Sequence, residues 1–305
     1  MTQSLPLAEQ VILITGASTG IGAALARRLA AEYLSIRLVL AARNQEKLES
    51  VATDCLKVGA DVLVVPTDMA QVEQVKALAQ LALERFGRVD ALVNNAGYGQ
   101  MGPVELISPE DAQRQFAVNF HGPLVLTQTL IPIMRDQGGG RIINVSSLGG
   151  RLAFPAGGMY SASKFALEAL SDVLRMELEA FNIKVSVIEP GPVTTEFFGI
   201  AGDKVDLNVP ESGRTIYRAA IKAIKEIEQQ TAPLAWSSER VAGVIIRALT
   251  DRNPRPRYIA ATAGKTMMFV MTKLMPRRLL DLFWKRYYRI DQVERDWKSR
   301  QKRVG

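Results

Sequence analysis

Val11-Ile-Leu-Ile-Thr-Gly-Ala-Ser-Thr-Gly-Ile-Gly22 decides the fold. Its first five residues are mainly apolar or β-branched and predict a strand buried on both faces. The glycine-rich turn that follows runs into Ile21, Leu25 and Leu29, spaced as one face of a helix. Gly16 permits the tight turn, Gly20 lets a pyrophosphate approach the backbone, and Gly22 lets the new helix lie close on the sheet. The free amides and positive dipole end of that helix then face the phosphates, so the unit predicts a dinucleotide site. The spacing G-x-x-x-G-x-G holds one more residue after the first glycine than the G-x-G-x-x-G fingerprint.

Strand and helix patterns alternate outward from this unit. Strands are expected over 36–42, 61–66 and 89–93, with helices over 44–57 and 71–86. A long helix follows over 109–134, opened by Pro109 and Glu110, with bends or late boundaries expected at Pro123 and Pro132. Strands over 141–145 and 184–188 flank a helix over 160–180; a helix over 237–249 and a strand over 257–260 complete the pattern. This alternation predicts an α/β fold, a Rossmann-like, doubly wound, seven-stranded parallel sheet with helices on both faces. A single catalytic domain is expected over 1–260. It includes a helical flap at about 193–236, with Phe197, Phe198 and Ile200 ahead of a helix over 216–227. Residues 261–305 read as a basic, partly amphipathic extension. Ligands bind such sheets at the carboxyl ends of the strands, so the loops starting at Gly16, Asn94, Ser146 and Pro190 should converge on one crevice.

At 305 residues, 48% of them hydrophobic, the chain can bury a full core. No charged leader precedes an apolar segment and no apolar run reaches about 18 residues, so neither a secretory signal nor a spanning helix is expected, and the location expected is cytoplasmic. Cys55, the single cysteine, reads as a buried or half-buried thiol without redox partners. The net charge of +7 is unevenly spread. Residues 251–305 carry fifteen Lys and Arg against five Asp and Glu, whereas residues 1–250 carry 23 against 26. Within 264–290, Phe269, Phe283, Trp284, Tyr287 and Tyr288 are interleaved with Lys273, Arg277, Arg278, Lys285, Arg286 and Arg289. Rings at headgroup depth and long cations suit a peripheral contact with anionic lipid; the alternative is that the apolar residues cover the substrate crevice or a subunit partner. No nucleic-acid partner is expected, because an apolar run threaded with charge lacks separate stacking and phosphate-contacting platforms.

The most informative constellation is Asn144-Val-Ser-Ser147 followed by Tyr160-Ser-Ala-Ser-Lys164. Tyr160 and Lys164 are four apart and share a helix face, where an ammonium near a phenol favours the ionised phenol. Such a tyrosine can protonate a carbonyl oxygen in reduction or deprotonate an alcohol in oxidation. Ser147 can donate a hydrogen bond to the same oxygen. His121, the only histidine, has no partners for a metal site, and no metal is expected. The glycosylation pattern at Asn144 falls on a buried strand end and is set aside.

Taken in order, Thr15-Gly-Ala-Ser-Thr-Gly-Ile-Gly22, Asp68, Asn94-Asn-Ala-Gly97, Asn119, the Ser147 segment, Tyr160-Ser-Ala-Ser-Lys164 and Pro190-Gly191 resemble a classical short-chain dehydrogenase/reductase over roughly residues 9–260. The text from Val11 to Phe198 and the extension look most like the branch that includes hydroxysteroid and retinol dehydrogenases. The resemblance implies that Tyr160 is the catalytic acid/base, that Lys164 binds the nicotinamide ribose and depresses the tyrosine pKa, that Ser147 orients the substrate oxygen, and that Asn119 holds the water of a proton relay. It implies cofactor contacts from Gly16, Ser18, Thr19, Gly20, Ile21 and Gly22. Asp68 would bond near the adenine, Asn94, Asn95, Ala96 and Gly97 would stabilise the sheet and line the cleft, and the backbone at Pro190, Gly191, Val193 and Thr194 would receive the carboxamide. It also implies a homodimer or homotetramer built through the helices over 109–134 and 160–180.

Charge bears on the cofactor. A site for NAD(H) wants a carboxylate at the end of the second strand, where this chain has Leu40-Ala41-Ala42-Arg43. Arg43 can instead meet a 2′-phosphate, so NADP(H) is expected over NAD(H). The pocket expected from Tyr98, the Met159 region, the loop after Ser147 and the flap is apolar, pointing to a hydrophobic carbonyl or alcohol. The rival reading is a non-catalytic NADP(H)-binding sensor or assembly protein on the same fold; the intact Asn119, Ser147, Tyr160 and Lys164 set argues against it.

Overall fold

The computed structural model describes residues 5–194 and 215–304. Strands β1 Val11–Thr15, β2 Arg37–Ala42, β3 Asp61–Pro66, β4 Ala91–Asn94, β5 Gly140–Val145, β6 Ile183–Pro190 and β7 Arg257–Ala260 form one sheet, ordered β3-β2-β1-β4-β5-β6-β7. Every neighbouring pair is parallel, as the alternating pattern predicted. The chain builds outward from β1 to β3 and then returns to the other side of β1 with β4. The order therefore reverses between β1 and β4, and the crevice opens there, beyond the carboxyl ends of the strands.

Helices α1 Gly20–Glu32, α2 Gln45–Lys57, α3 Val72–Phe86, α4 Pro109–Phe116, α5 Gly122–Asp136, α6 Gly158–Glu177, α7 Arg218–Thr231 and α8 Ser238–Thr250 accompany the sheet. The extension folds as α9 Gly264–Phe269, α10 Arg277–Tyr287 and α11 Ile290–Val304. Successive side chains of β1 alternate between two cores. Ile12 and Ile14 pack with Leu25, Leu29, Leu48, Ile245 and Leu249 from α1, α2 and α8, whereas Val11 and Leu13 pack with Leu78, Leu126, Leu130 and Leu174 from α3, α5 and α6. Helices cover both faces, which is why the strand reads as a continuous apolar run. Cys55 is buried in the first of these cores, where burial pushes its thiol up to about 11.

The single helix expected over 109–134 is two helices joined by a π turn, Ala117–His121. Neither expected bend is where the change occurs: Pro123 lies in the first turn of α5 and Pro132 inside it. The wider turn is set by contacts that the prolines do not report. It brings Asn119 inward, and Gly122 lies so close to the Met69 carbonyl that a Cβ would collide with it. His121 points outward and its ring meets Phe120 edge-on. Phe197, Phe198 and Ile200 of the expected flap lie outside the described residues.

The extension packs back over the strand ends. Met268, Met271 and Leu280 cluster with Leu148, Leu152 and Ile259, and Tyr288 and Trp284 join Met101, Phe154, Ile221 and Ile224.

Candidate active site

The glycine turn after β1 is held from β4. Asn95 Nδ2 donates to the Thr15 and Gly16 carbonyls at 2.9 and 3.1 Å, while the amides of Asn95 and Ala96 both donate to Thr15 Oγ1 at 3.0 Å. Gly16 has φ +65° and Gly20 φ +54°, the left-handed region that glycine enters without strain. A Cβ on Gly22 would collide with the Gly16 carbonyl oxygen, so the first turn of α1 can lie this close only as glycine. Thr19 caps α1 without a side-chain hydrogen bond, and no acidic side chain sits in the first turn. The amides and positive dipole end of α1 therefore face the crevice past Ser18, Thr19, Gly20 and Ile21, which fits the pyrophosphate of a dinucleotide.

Arg43 stands exposed just past β2, after the small Ala42. Asp68, past β3, accepts from the Ala70 amide at 3.0 Å and from Arg114 at 2.8 Å. Burial alone would raise its carboxyl, but the Ala70 amide, Arg114 and Arg43 together hold it below the usual carboxylate range. The residue expected near the adenine thus already bonds Arg114 from α4.

Past β6, the Gly191 amide donates to the Ala260 carbonyl at 3.1 Å and Val193 bridges Trp236. Thr194 donates from its amide to the Trp236 carbonyl at 2.9 Å, so the backbone from Pro190 to Thr194 is fixed at the crevice edge.

Between these ends, residues from four segments meet. Tyr160 and Lys164 are both buried on α6, one turn apart. Ser147 follows β5; its Oγ accepts from the Gly149 amide at 3.0 Å, and its hydroxyl hydrogen-bonds the Tyr160 phenol. The position of a Cβ on Gly149 lies 3.4 Å from both Ser147 Oγ and Tyr160 Cε1. A Cβ on Gly97 would lie 3.2 Å from Asn119 Oδ1 and 3.3 Å from Lys164 Nζ. Asn119 accepts from the Tyr98 amide and donates to the Tyr98 carbonyl and Ser163 Oγ, and Ser163 donates to the Tyr160 carbonyl. A further bridge holds the strands in register: Asn94 donates to Asn144 at 2.9 Å and Asn144 to Ser171 at 2.8 Å, which accounts for Asn144 as a buried structural group.

Burial pushes the Tyr160 phenol up to about 12, with the Ser147 hydrogen bond opposing. It pushes the Lys164 ammonium down to about 8, with the Glu168 carboxylate opposing. The expected lowering of the phenol by Lys164 is overridden, because both groups are desolvated and Lys164 Nζ donates to the Val145 carbonyl at 2.8 Å. At neutral pH the phenol therefore carries its proton and is set up as an acid.

Reading the sequence missed the ion cluster behind Lys164. Arg257 on β7 bonds Glu168 at 3.0 Å, Asp172 at 2.6 Å and Glu189 at 3.2 Å, and Arg151 reaches Glu189 at 3.4 Å. Burial raises both glutamates, Glu168 to about 7. An acidic residue one helical turn past Lys164 was the available signal. Glu168→Gln should strip the charge that holds the Lys164 ammonium up. Lys164 then loses its proton at lower pH, and the alkaline limb of kcat/KM moves toward neutrality in a pH profile; a limb that stays in place would mark Glu168 as structural only.

Phe154 forms the wall beside this centre. Its Cε1 lies 3.1 Å from the Gly149 Cβ position, and its ring stacks on Tyr288 at 5.6 Å and 12°. Trp284 lies 6.1 Å from it. The extension thus contributes to the wall of the crevice, which was one of the two alternatives for its apolar residues.

Residues 10–205 match the short chain dehydrogenase family. The uncharacterized oxidoreductase YbbO of Escherichia coli K12 is 32% identical over 278 residues, 90% of this chain and 93% of that protein. A short chain dehydrogenase/reductase from Burkholderia phymatum, solved in complex with NAD, has a TM-score of 0.76 at 29% identity, over 88% of this chain and 94% of that one. A metagenomic short-chain oxidoreductase solved in complex with NADP has a TM-score of 0.66 at 28% identity, over 83% and 97%. Sequence and shape agree that this chain belongs to the short-chain dehydrogenase/reductase family of NAD(P)(H)-dependent oxidoreductases.

Proposed function

We propose that the protein is an NADP(H)-dependent reductase of hydrophobic aldehydes or ketones, related to the hydroxysteroid and retinol dehydrogenase branch. The observation that carries the reading is the buried, protonated Tyr160 phenol hydrogen-bonded to Ser147 at the strand ends beside the open glycine turn. The glycine turn would hold the pyrophosphate, Arg43 the 2′-phosphate, Asp68 the adenine side, Asn95 to Gly97 the cleft wall, Lys164 and Tyr160 the nicotinamide ribose, and Pro190 to Thr194 the carboxamide. When bound, the nicotinamide supplies or accepts the hydride. Ser147 donates a hydrogen bond to the substrate carbonyl oxygen, and Tyr160 delivers its phenolic proton to that oxygen as negative charge develops there. Asn119, fixed by Tyr98 and Ser163, holds the relay that returns a proton to Tyr160. Leu148, Leu152, Phe154 and Met101 supply an apolar wall, which supports a hydrophobic substrate. Phe165, Val173 and Met176 form an exposed apolar stripe on α6, which supports a homodimer or homotetramer.

Arg43→Ala tests the cofactor reading. Loss of one charge-assisted contact should weaken NADPH binding by roughly 10- to 100-fold and leave NADH binding unchanged. Equal and weak binding of both cofactors to the wild type would refute the preference. Turnover of NADPH against a panel of apolar aldehydes and ketones then identifies the substrate class.

A further inference from the structure

Six of the nineteen large hydrophobic residues exposed among the described residues lie within 269–283: Phe269, Val270, Leu274, Leu279, Leu282 and Phe283. They occupy the outer side of the same helices whose inner side, Met268, Met271, Leu280 and Trp284, is packed onto the body. Leu279, Leu282, Phe283 and Arg286 follow helical spacing and, with Tyr287, line a surface depression of about 490 Å³. Leu274 is 62% exposed and Leu279 55%, so folding alone leaves this face uncovered. Cations surround it. Residues 264–287 carry six Lys and Arg against one acidic residue, Asp281, and among the described residues Lys265, Lys273, Arg277, Arg278 and Arg286 make no ion pair.

We propose that α9, the π turn Val270–Leu274 and α10 form a docking face for the surface of an anionic phospholipid bilayer. The apolar stripe enters the acyl boundary while the surrounding Lys and Arg reach headgroup phosphates. Charge complementarity selects this occupant: an apolar protein surface would bury the cations without partners, and a nucleic acid would leave Leu274, Leu279 and Leu282 in water. No helix among the described residues is long and apolar enough to cross a membrane, so the contact lies on the surface. The proposal does not depend on the chemistry of the crevice.

The test is co-sedimentation of the full chain with vesicles of phosphatidylcholine alone and of phosphatidylcholine mixed equally with phosphatidylglycerol. Partitioning onto the anionic vesicles should be at least tenfold stronger and should collapse as salt rises from about 0.1 to about 1 M, where the screening length falls from about 10 to about 3 Å. Each cation near the surface is worth about fivefold, so Arg277→Glu with Arg278→Glu should cost about 25-fold or more. Leu274→Ser with Leu279→Ser should also release the protein, with its circular dichroism and thermal midpoint unchanged. Equal partitioning onto both vesicle types, or variants that bind like wild type, would overturn the proposal. So would serine variants that change the sedimentation coefficient of the free protein and leave vesicle binding intact, since the face would then join copies of this chain.

Discussion

Replacing Tyr160 with Phe should lower kcat/KM for carbonyl reduction by roughly 10²- to 10⁴-fold with the cofactor still bound, the range that a positioned general acid supplies. The ring stays in place, so the Gly149 contact and the packing of α6 survive, and only the phenolic hydroxyl with its Ser147 hydrogen bond is lost. In the proposed reaction Ser147 would still polarise the carbonyl, with no acid behind it. Steady-state NADPH oxidation checks the rate, and fluorescence titration checks that the cofactor remains bound. Unaltered turnover in the variant would remove Tyr160 from the chemistry. A wild type that binds the cofactor tightly and reduces nothing would return the protein to the sensing reading. Because burial raises the phenol to about 12, its acid form persists across the neutral range, and loss of Tyr160's own proton should not limit reduction there.

Arg257→Met should cost about 3–5 kcal/mol of folding stability in urea unfolding, because it takes the guanidinium from buried Glu168 and leaves buried Glu189 with Arg151 alone. Glu189 is fully buried and the Glu168 side chain is 6% exposed, and both rely on the same guanidinium. The sign with pH follows from the raised carboxyls. A carboxyl whose native pKa lies above its unfolded value weakens the fold as pH rises from the unfolded to the native value, here from the ordinary glutamate range toward about 7 for Glu168. Without Arg257 the native values rise further, so the deficit of the variant should be largest at pH 8 and narrow toward pH 5. A deficit that is constant with pH would trace to lost packing of the arginine stem instead.

How much was legible follows from the range of the forces involved. Strand burial on both faces writes itself into Val11–Thr15 as an unbroken apolar run, and the bounds expected for the half-buried edge strands Asp61–Pro66 and Arg257–Ala260 also match. The Tyr160–Lys164 spacing is a property of one helix and needs no other segment. The π turn at Asn119 was not legible, because it is set by Met69, Tyr98 and Ser163 from three other segments. Prolines marked the wrong positions: Pro123 sits in the first turn of α5, where its missing amide is tolerated, and Pro132 lies inside that helix without ending it.

By itself the sequence determined the parallel sheet, the glycine-rich turn after β1 and the residue types gathered at the strand ends, because periodicity and glycine placement act over a few residues. Only the tertiary structure decided the charge states and the faces. Tyr160 keeps its proton at neutral pH because distant segments exclude water from it, Glu168 is held up by burial beside Glu189 across α6 and β6, and the extension has an inner face only because Phe154 and Leu152 stand where Trp284, Leu280 and Tyr288 can cover them. Desolvation depends on which surfaces meet, and a one-dimensional pattern does not carry that.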